Sequence, residues 1–328
     1  MSADRPLGET QPREGTDPET VAATREFNNR VEQLLAGEPD IQQLGPAEAR
    51  RRRRAGDGAF PPPPVFAAEA LERDIPGRAG RLRVRVIAPP GEPRGLYLHL
   101  HGGGWTIGGA DLQDPLLCEL AAATGMCAVS VEYRLAPEHP HPAAADDCED
   151  AALWLLENGP ATLNAPGRFA IGGESAGAHL AAATLLRLRD RQAAGGFTAA
   201  TLMYGVYDLA MTPSQRRWGT RNLVISSPGL EYFADCFVGH LGPEGRRDPG
   251  VSPLYADLAG LPPALFTVGT LDPLLDDTLF MHARWLAAGN RAELRIWQDA
   301  PHLFTLFPTP AAAAARARQH AFLREALV

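Results

Sequence analysis

Three residues in this chain are of types that together can carry an acyl group from one oxygen to another, and they occur in the order Ser175, Asp272, His302. Ser175 lies in Gly173-Glu174-Ser175-Ala176-Gly177, a G-x-S-x-G pattern after an apolar run at 169–171 and before an Ala-rich helical stretch at 179–188. A sharp strand-to-helix turn brings neighbouring backbone close, so small residues must flank a serine whose hydroxyl stands clear above the sheet. Taken alone, the pattern also fits a plain small-residue turn. Its place between strand and helix is what points to a nucleophile.

A second signal is His101-Gly102-Gly103-Gly104-Trp105, directly after the run 96–100. Acyl transfer through a tetrahedral intermediate puts negative charge on the former carbonyl oxygen, and preorganised backbone N–H groups stabilise that charge. Side chains would block the approach. The expected donors are Gly103, Gly104 and Ala176, the last because it follows the serine at a helix N-terminus. A Gly-rich loop without a ligand and a phosphate cradle are rival readings; no Gly-Lys-Ser/Thr follows, which counts against the cradle.

Asp272 comes just after the apolar run 264–268, and His302 follows a predicted strand at 293–297 and the short loop Gln298-Asp299-Ala300-Pro301. Sites in open α/β sheets lie at such carboxyl ends of strands. Asp276 and Asp277 compete with Asp272 for the role of orienting acid. Of the nine histidines, His302 alone has a post-strand position late in the chain.

The elements that must position these residues follow from periodicity. Residues 1–16 are polar and expected to be disordered, after which Asp17 and Pro18 read as N-cap and first helical position. Thr24, Phe27, Val31, Leu34 and Leu35 then recur at helical spacing up to Gly37. A second helix is predicted over 46–54, ending at Gly56 and a linker at Pro61 to Pro64. Leu82, Val84 and Val86 alternate with Arg81, Arg83 and Arg85, a half-buried strand near a sheet edge. The runs 96–100, 127–131, 169–171, 202–204 and 264–268 read as buried strands. Between them lie helices, including one over 144–157 with Asn158, Gly159 and Pro160 as its terminator. This alternation calls for a mainly parallel sheet covered on both faces. Residues 207–245 break it and are expected to form a second piece of a cap that folds with the N-terminal helices. The resulting division is 1–60 cap helices and linker, 61–206 catalytic α/β domain, 207–245 second cap segment, and 246–328 the rest of the catalytic domain.

Composition narrows the function classes. A chain of 328 residues with 45% hydrophobic and 21% charged residues is ordinary globular material. A net charge of −8 argues against nucleic acid, which needs a basic face. All basic residues are Arg, which excludes a Schiff-base lysine, a Walker lysine and a Ser-Lys dyad. The run Arg50 to Arg54 reads as a solvated helix end, with a membrane or anion patch as the alternative. Cys118, Cys127, Cys148 and Cys236 have neither CxxC nor zinc spacing and read as reduced, apolar residues. No secretory signal opens the sequence and no apolar run approaches membrane-spanning length, so a cytoplasmic protein without stable membrane insertion is expected.

Four blocks resemble the hormone-sensitive-lipase-like esterases of the α/β-hydrolase fold, also called bacterial family IV. They are HGGGW at His101 to Trp105, EYRLAPE at Glu132 to Glu138 with Pro142 to Asp147, GESAG at Gly173 to Gly177, and SPLYADLAGLPPALFTVGTLDPLLDD at Ser252 to Asp277. The likeness covers roughly residues 75–328. It implies hydrolysis of short- or medium-chain acyl esters, no metal or organic cofactor, an eight-stranded sheet with a helical cap, and possible homodimers, for which 293–297 is a candidate edge. It also implies that Glu132, Tyr133 and Arg134 brace the site. The chain departs from the usual pattern at Glu174, for Asp or Thr; at Leu303, for Gly; and at Gly205, near an expected Pro. A deacetylase or amidase of the same fold and a non-catalytic small-molecule receptor are the alternatives; the receptor form arises where the histidine is lost, and here His302 is kept.

Overall fold

A computed structural model of the chain describes residues 13–57, 64–191 and 196–327. The expected disorder of residues 1–12 and the linker prolines Pro61, Pro62 and Pro63 lie outside them. In chain order the elements are β1 (Arg13–Glu14), α1 (Pro18–Leu35), α2 (Ile41–Leu44), α3 (Pro46–Ala55), β2 (Leu71–Gly77), β3 (Gly80–Ile87), β4 (Gly95–Leu100), α4 (Asp114–Thr124) and β5 (Met126–Val131). There follow α5 (Ala143–Leu163), β6 (Phe169–Glu174), α6 (Ala176–Asp190), β7 (Phe197–Met203), α7 (Pro213–Trp218), α8 (Ser227–Val238), α9 (Gly242–Gly245), β8 (Ala264–Leu271), α10 (Leu275–Ala287), β9 (Ala292–Pro301) and α11 (Pro310–Glu325).

The strands form one sheet in the order β1-β9-β8-β7-β6-β4-β5-β3-β2. Among the described residues, only the strand pairs β2/β3 and β3/β5 are antiparallel. The central strands β4, β5 and β6 are buried at every position, as parallel strands covered by helices on both faces must be. Successive side chains serve opposite layers. Leu96, Leu98 and Leu100 join one core with α5 and α6, while Tyr97 between them joins another with Leu117 and Leu120 of α4 and Leu323 of α11.

Several expectations need correction. The sheet has nine strands, not eight, because Arg13 and Glu14 pair parallel with Ile296 and Trp297. That also removes these residues from the expected disordered stretch. Two polar residues carry no periodicity; they are recruited by tertiary partners, Arg13 donating to Gln298 at 2.9 Å and Glu14 pairing with Arg295 at 2.5 Å. The candidate edge 293–297 is therefore partly covered, and α1 packs on the same strand. On the other side, β2 lies outside β3 as the true edge strand; its charged Leu-Glu-Arg-Asp start, mostly exposed, hid it from an apolar search.

The helix predicted to stop at 158–160 runs on to Leu163 and ends at Asn164, which has a left-handed backbone (φ 48°). Gly159 is there for proximity: a Cβ on it would stand 2.9 Å from Leu96 Cδ1, so its absence lets α5 press against β4. Arg85, read as facing solvent, is buried and forks onto Asp114, with Nη2 to Oδ2 at 2.5 Å. Nor is the arginine run a solvated helix end throughout. Arg50 donates to the carbonyls of Thr106 (2.7 Å) and Ala136 (2.6 Å) and to the Glu138 carboxylate, which straps α3 to the loops after β4 and β5. Arg54 pairs with Asp111 and Arg52 with Glu38, whereas Arg51 meets Glu48 and Asp57 at the surface.

The N-terminus of α1 is as predicted: Asp17 Oδ1 accepts from Thr20 N at 2.9 Å with Pro18 at the first position. Gly56 closes α3 in the left-handed conformation. The four cysteines are free. Among the described residues no helix is long and apolar enough to cross a membrane.

Candidate active site

The site is assembled from loops at the carboxyl ends of four strands that share one direction. β6 ends at Glu174 and α6 begins at Ala176, leaving Ser175 alone in the turn at φ 55°, ψ −118°. A non-glycine residue rarely tolerates such angles, so the surrounding structure must hold them. Ser175 N donates to Met203 O at 2.9 Å. The flanking glycines are required by approach: a Cβ on Gly173 would lie 2.2 Å from Leu100 O, and one on Gly177 would lie 1.9 Å from it.

β8 delivers Asp272 and β9 delivers His302. His302 Nδ1 stands 3.0 Å from Asp272 Oδ2, and Nε2 stands 3.0 Å from Ser175 Oγ. A carboxylate only accepts, so the ring proton belongs on Nδ1, and Nε2 is free to accept from the serine hydroxyl. All three residues are at least 94% buried, with exposures of 6%, 2% and 3% for Ser175, Asp272 and His302. The second oxygen of Asp272 accepts from Leu274 N at 2.8 Å, which fixes the carboxylate plane. The rival acids point elsewhere: Asp277 accepts from Tyr207 N, Asp208 N, Thr212 Oγ1 and Gln215 Nε2, and Asp276 accepts from Ser214 N.

Above the serine, the loop after β4 carries Gly103 at φ 116° and Gly104 at φ 56°, both in the region glycine favours. A Cβ on Gly103 would meet Ile107 O at 2.2 Å, and one on Gly104 would meet the Phe233 ring at 2.4 Å. The loop is held from below by Tyr133, whose hydroxyl donates to His101 O at 2.7 Å, and by Glu132, which accepts from Ala110 N. Arg134 forks onto Asp147 at the start of α5. His101 stacks on Tyr133 and donates from Nδ1 to Gly102 O, and burial drives its pKa down to about 4.

Three features carry no sequence signal of their own. Glu174, beside the serine, is buried against His99, whose Nε2 lies 3.1 Å from both carboxylate oxygens while its Nδ1 contacts Ser130 Oγ. Trp105 Nε1 donates to His179 Nδ1, and His179 Nε2 donates to Val251 O, an arrangement that needs a neutral ring; burial lowers this histidine to about 4 as well. The third is the pocket. Ser175, Gly104 and Trp105 line a cavity closed by Leu209, Met211, Gln215, Ile225, Leu230 and Phe233. The segment that supplies these last six residues contacts the N-terminal helices, with Gln42 Nε2 donating to Pro228 O and Arg221 pairing with Glu32.

A parallel sheet with helices on both faces, a serine on a strained strand-to-helix turn and an imidazole bridging it to a carboxylate define the α/β-hydrolase class. A family model described as alpha/beta hydrolase fold matches residues 97–306, and the chain belongs to that family, in the branch of the hormone-sensitive-lipase-like esterases. It is 33% identical over 263 residues to the carboxylic ester hydrolase LipN of Mycobacterium tuberculosis, covering 78% of this chain and 69% of that one. It is 32% identical over 229 residues to the ethyl acetate hydrolase of Pseudomonas putida, covering 68% and 71%. Among solved structures, an esterase of Pyrobaculum calidifontis superposes with a TM-score of 0.80 at 28% identity, covering 92% of this chain and 97% of that one.

Proposed function

We propose that this chain is a serine carboxylesterase acting on short- to medium-chain acyl esters. The single observation that carries the reading is the unbroken line of contacts from Ser175 Oγ through His302 to Asp272, with 3.0 Å at each step. In this reading Ser175 attacks the ester carbonyl and His302 takes its proton. His302 then returns the proton to the departing alcohol, leaving an acyl-enzyme that water cleaves by the same relay. Asp272 orients His302 and stabilises its cation. Gly103, Gly104 and Ala176 offer their N–H groups to the developing oxyanion; none of the three donates to a protein acceptor among the described residues.

Short acyl groups are favoured because the cavity beside Ser175 is walled by bulky apolar side chains such as Leu209, Leu230 and Phe233. The ester hydrolase names of the relatives support the same class. The contacts of Gln42 and Arg221 support a cap in which the N-terminal helices meet residues 207–245, while β1 belongs to the catalytic sheet. An alkoxide leaves more readily than an amine, so esters are preferred over amides. The test is a chain-length panel of p-nitrophenyl esters with Ser175→Ala as control. We expect an optimum at short acyl chains and a loss of about three or more orders of magnitude in kcat in the variant, with folding retained. Wild-type rates from Ser175→Ala would refute the nucleophile, and an optimum on long chains would refute the pocket reading.

A further inference from the structure

The cavity that contains Ser175 has a polar wall residue whose hydrogen bonding is half complete. Gln215, on α7, lines this cavity opposite apolar neighbours and is only 2% exposed. Its Nε2 donates to Asp277 Oδ2 at 2.7 Å and to the backbone carbonyl of Asp208 at 3.3 Å. A backbone carbonyl cannot donate, so the amide nitrogen must face that side, and the orientation of the group is settled by its partners. Gln215 lines the cavity, and among the described residues nothing donates to its amide oxygen. An accessible amide oxygen with no protein donor accepts from water in the free protein, and a ligand that displaces that water without offering a donor forfeits the bond. A ligand that supplies a donor at that point replaces the bond to water; one that supplies only methylene does not.

We propose that Gln215 Oε1 is a specificity-determining acceptor that reads a hydroxyl on the group lodged beside Ser175, so that hydroxylated short-chain esters are the favoured substrate class. The proposal rests on the esterase reading above. Asp277 acts as the positioning residue: it holds the Gln215 amide and, through Thr212 Oγ1 and the N–H groups of Tyr207 and Asp208, the segment that walls the cavity. Discrimination of this kind is strong where the site has been built around the donor, because the analogue lacking it leaves the protein group unpaired.

The test compares kcat/KM for ethyl butyrate, ethyl 3-hydroxybutyrate, ethyl 3-methoxybutyrate and 2-hydroxyethyl butyrate. The third keeps an ether oxygen but has no donor; the fourth moves the hydroxyl to the alcohol side. For the wild-type protein we expect one hydroxylated ester to exceed ethyl butyrate by roughly tenfold. Which one it is tells whether the acyl or the alcohol group occupies the cavity. If the acyl group does, the methoxy ester falls back to the level of ethyl butyrate or below. Gln215→Met, which keeps length and loses the acceptor, should abolish the preference. Thr212→Val, which removes a different donor from Asp277, should lower all esters together and keep the ratio. Equal turnover of hydroxylated and plain esters by the wild type overturns the inference alone. So does a preference that survives in Gln215→Met or vanishes in Thr212→Val. Absence of turnover on every ester overturns the esterase reading and this inference with it. The wild-type comparison needs no variant to fold.

Discussion

At the scale of single residues, the site depends on atoms that are absent. Gly104 sits at φ 56° with the Phe233 ring where its Cβ would be. Gly104→Ala keeps the N–H but displaces it, because an aromatic ring in a packed wall cannot yield more than an ångström cheaply. We expect kcat to fall by about two to three orders of magnitude, the scale of losing one oxyanion donor. Adding Phe233→Ala should recover part of that loss. If the single variant retains full kcat on a p-nitrophenyl acetate assay, Gly104 is not a donor. Ser175, Asp272 and His302 were legible at this scale because a hydroxyl, a carboxylate and an imidazole announce themselves by type and by their places after strands. Glu174 and His99 were not, since a buried carboxylate against a buried ring is a relation across 75 residues of chain that neither residue reveals alone.

At the scale of elements, the run of arginines on α3 divides into structural and superficial members. Arg50 bonds carbonyls of the loops after β4 and β5, and its side chain is 26% exposed; Arg51, at 58%, meets only surface carboxylates. Surface pairs contribute little, whereas losing a donor to partly buried carbonyls leaves them unpaired. Arg50→Met should therefore lower stability by about 1–3 kcal/mol, and Arg51→Met should stay within about 0.5 kcal/mol of wild type. Urea denaturation of the two variants side by side decides the matter; equal midpoints would return the whole run to the solvated reading. Element existence was readable where the pattern was strong, as for α1 by helical spacing, β4 as an apolar run and α6 as an Ala-rich stretch. Ends were misread where a local stop signal had another use: Gly159 serves the approach of α5 to Leu96, and the helix passes through it.

At the scale of the whole molecule, several histidines are buried in the neutral form, and this sets an acid limit. His101 and His179 are pushed down to about 4, from an ordinary value of 6.5. The unfolded chain binds these protons below about 6.5 and the folded chain does not until about 4. Their contribution is thus fully present above 6.5 and is lost as pH falls toward 4. Asp277 acts in the opposite sense, since burial raises it from 3.8 to about 7 and the folded state holds its proton longer. Glu132, also raised by burial, acts with Asp277, but the lowered histidines, with His141, His282 and His320 among them, outnumber the two carboxyls and stability falls as pH drops over the overlap. We expect urea midpoints to fall from about pH 6.5 to about pH 5, with His179→Gln less stable throughout but shallower in slope. A wild-type stability that is flat or rising over that interval would contradict this account.

The sequence by itself determined the central alternation of strands and helices from β3 to β9, the turn that isolates Ser175, the glycine loop and the positions of Asp272 and His302, because each is written in local spacing and residue type. Tertiary structure alone decided that Arg13 and Glu14 become a ninth strand, that Arg85 is a buried ion-pair partner and that Asp277 holds the pocket wall while Asp272 meets the histidine. The physical reason is the same in each case. Polar residues prefer water and are buried only where a partner meets them, and only the closed fold brings residues tens to hundreds of positions apart within hydrogen-bonding distance.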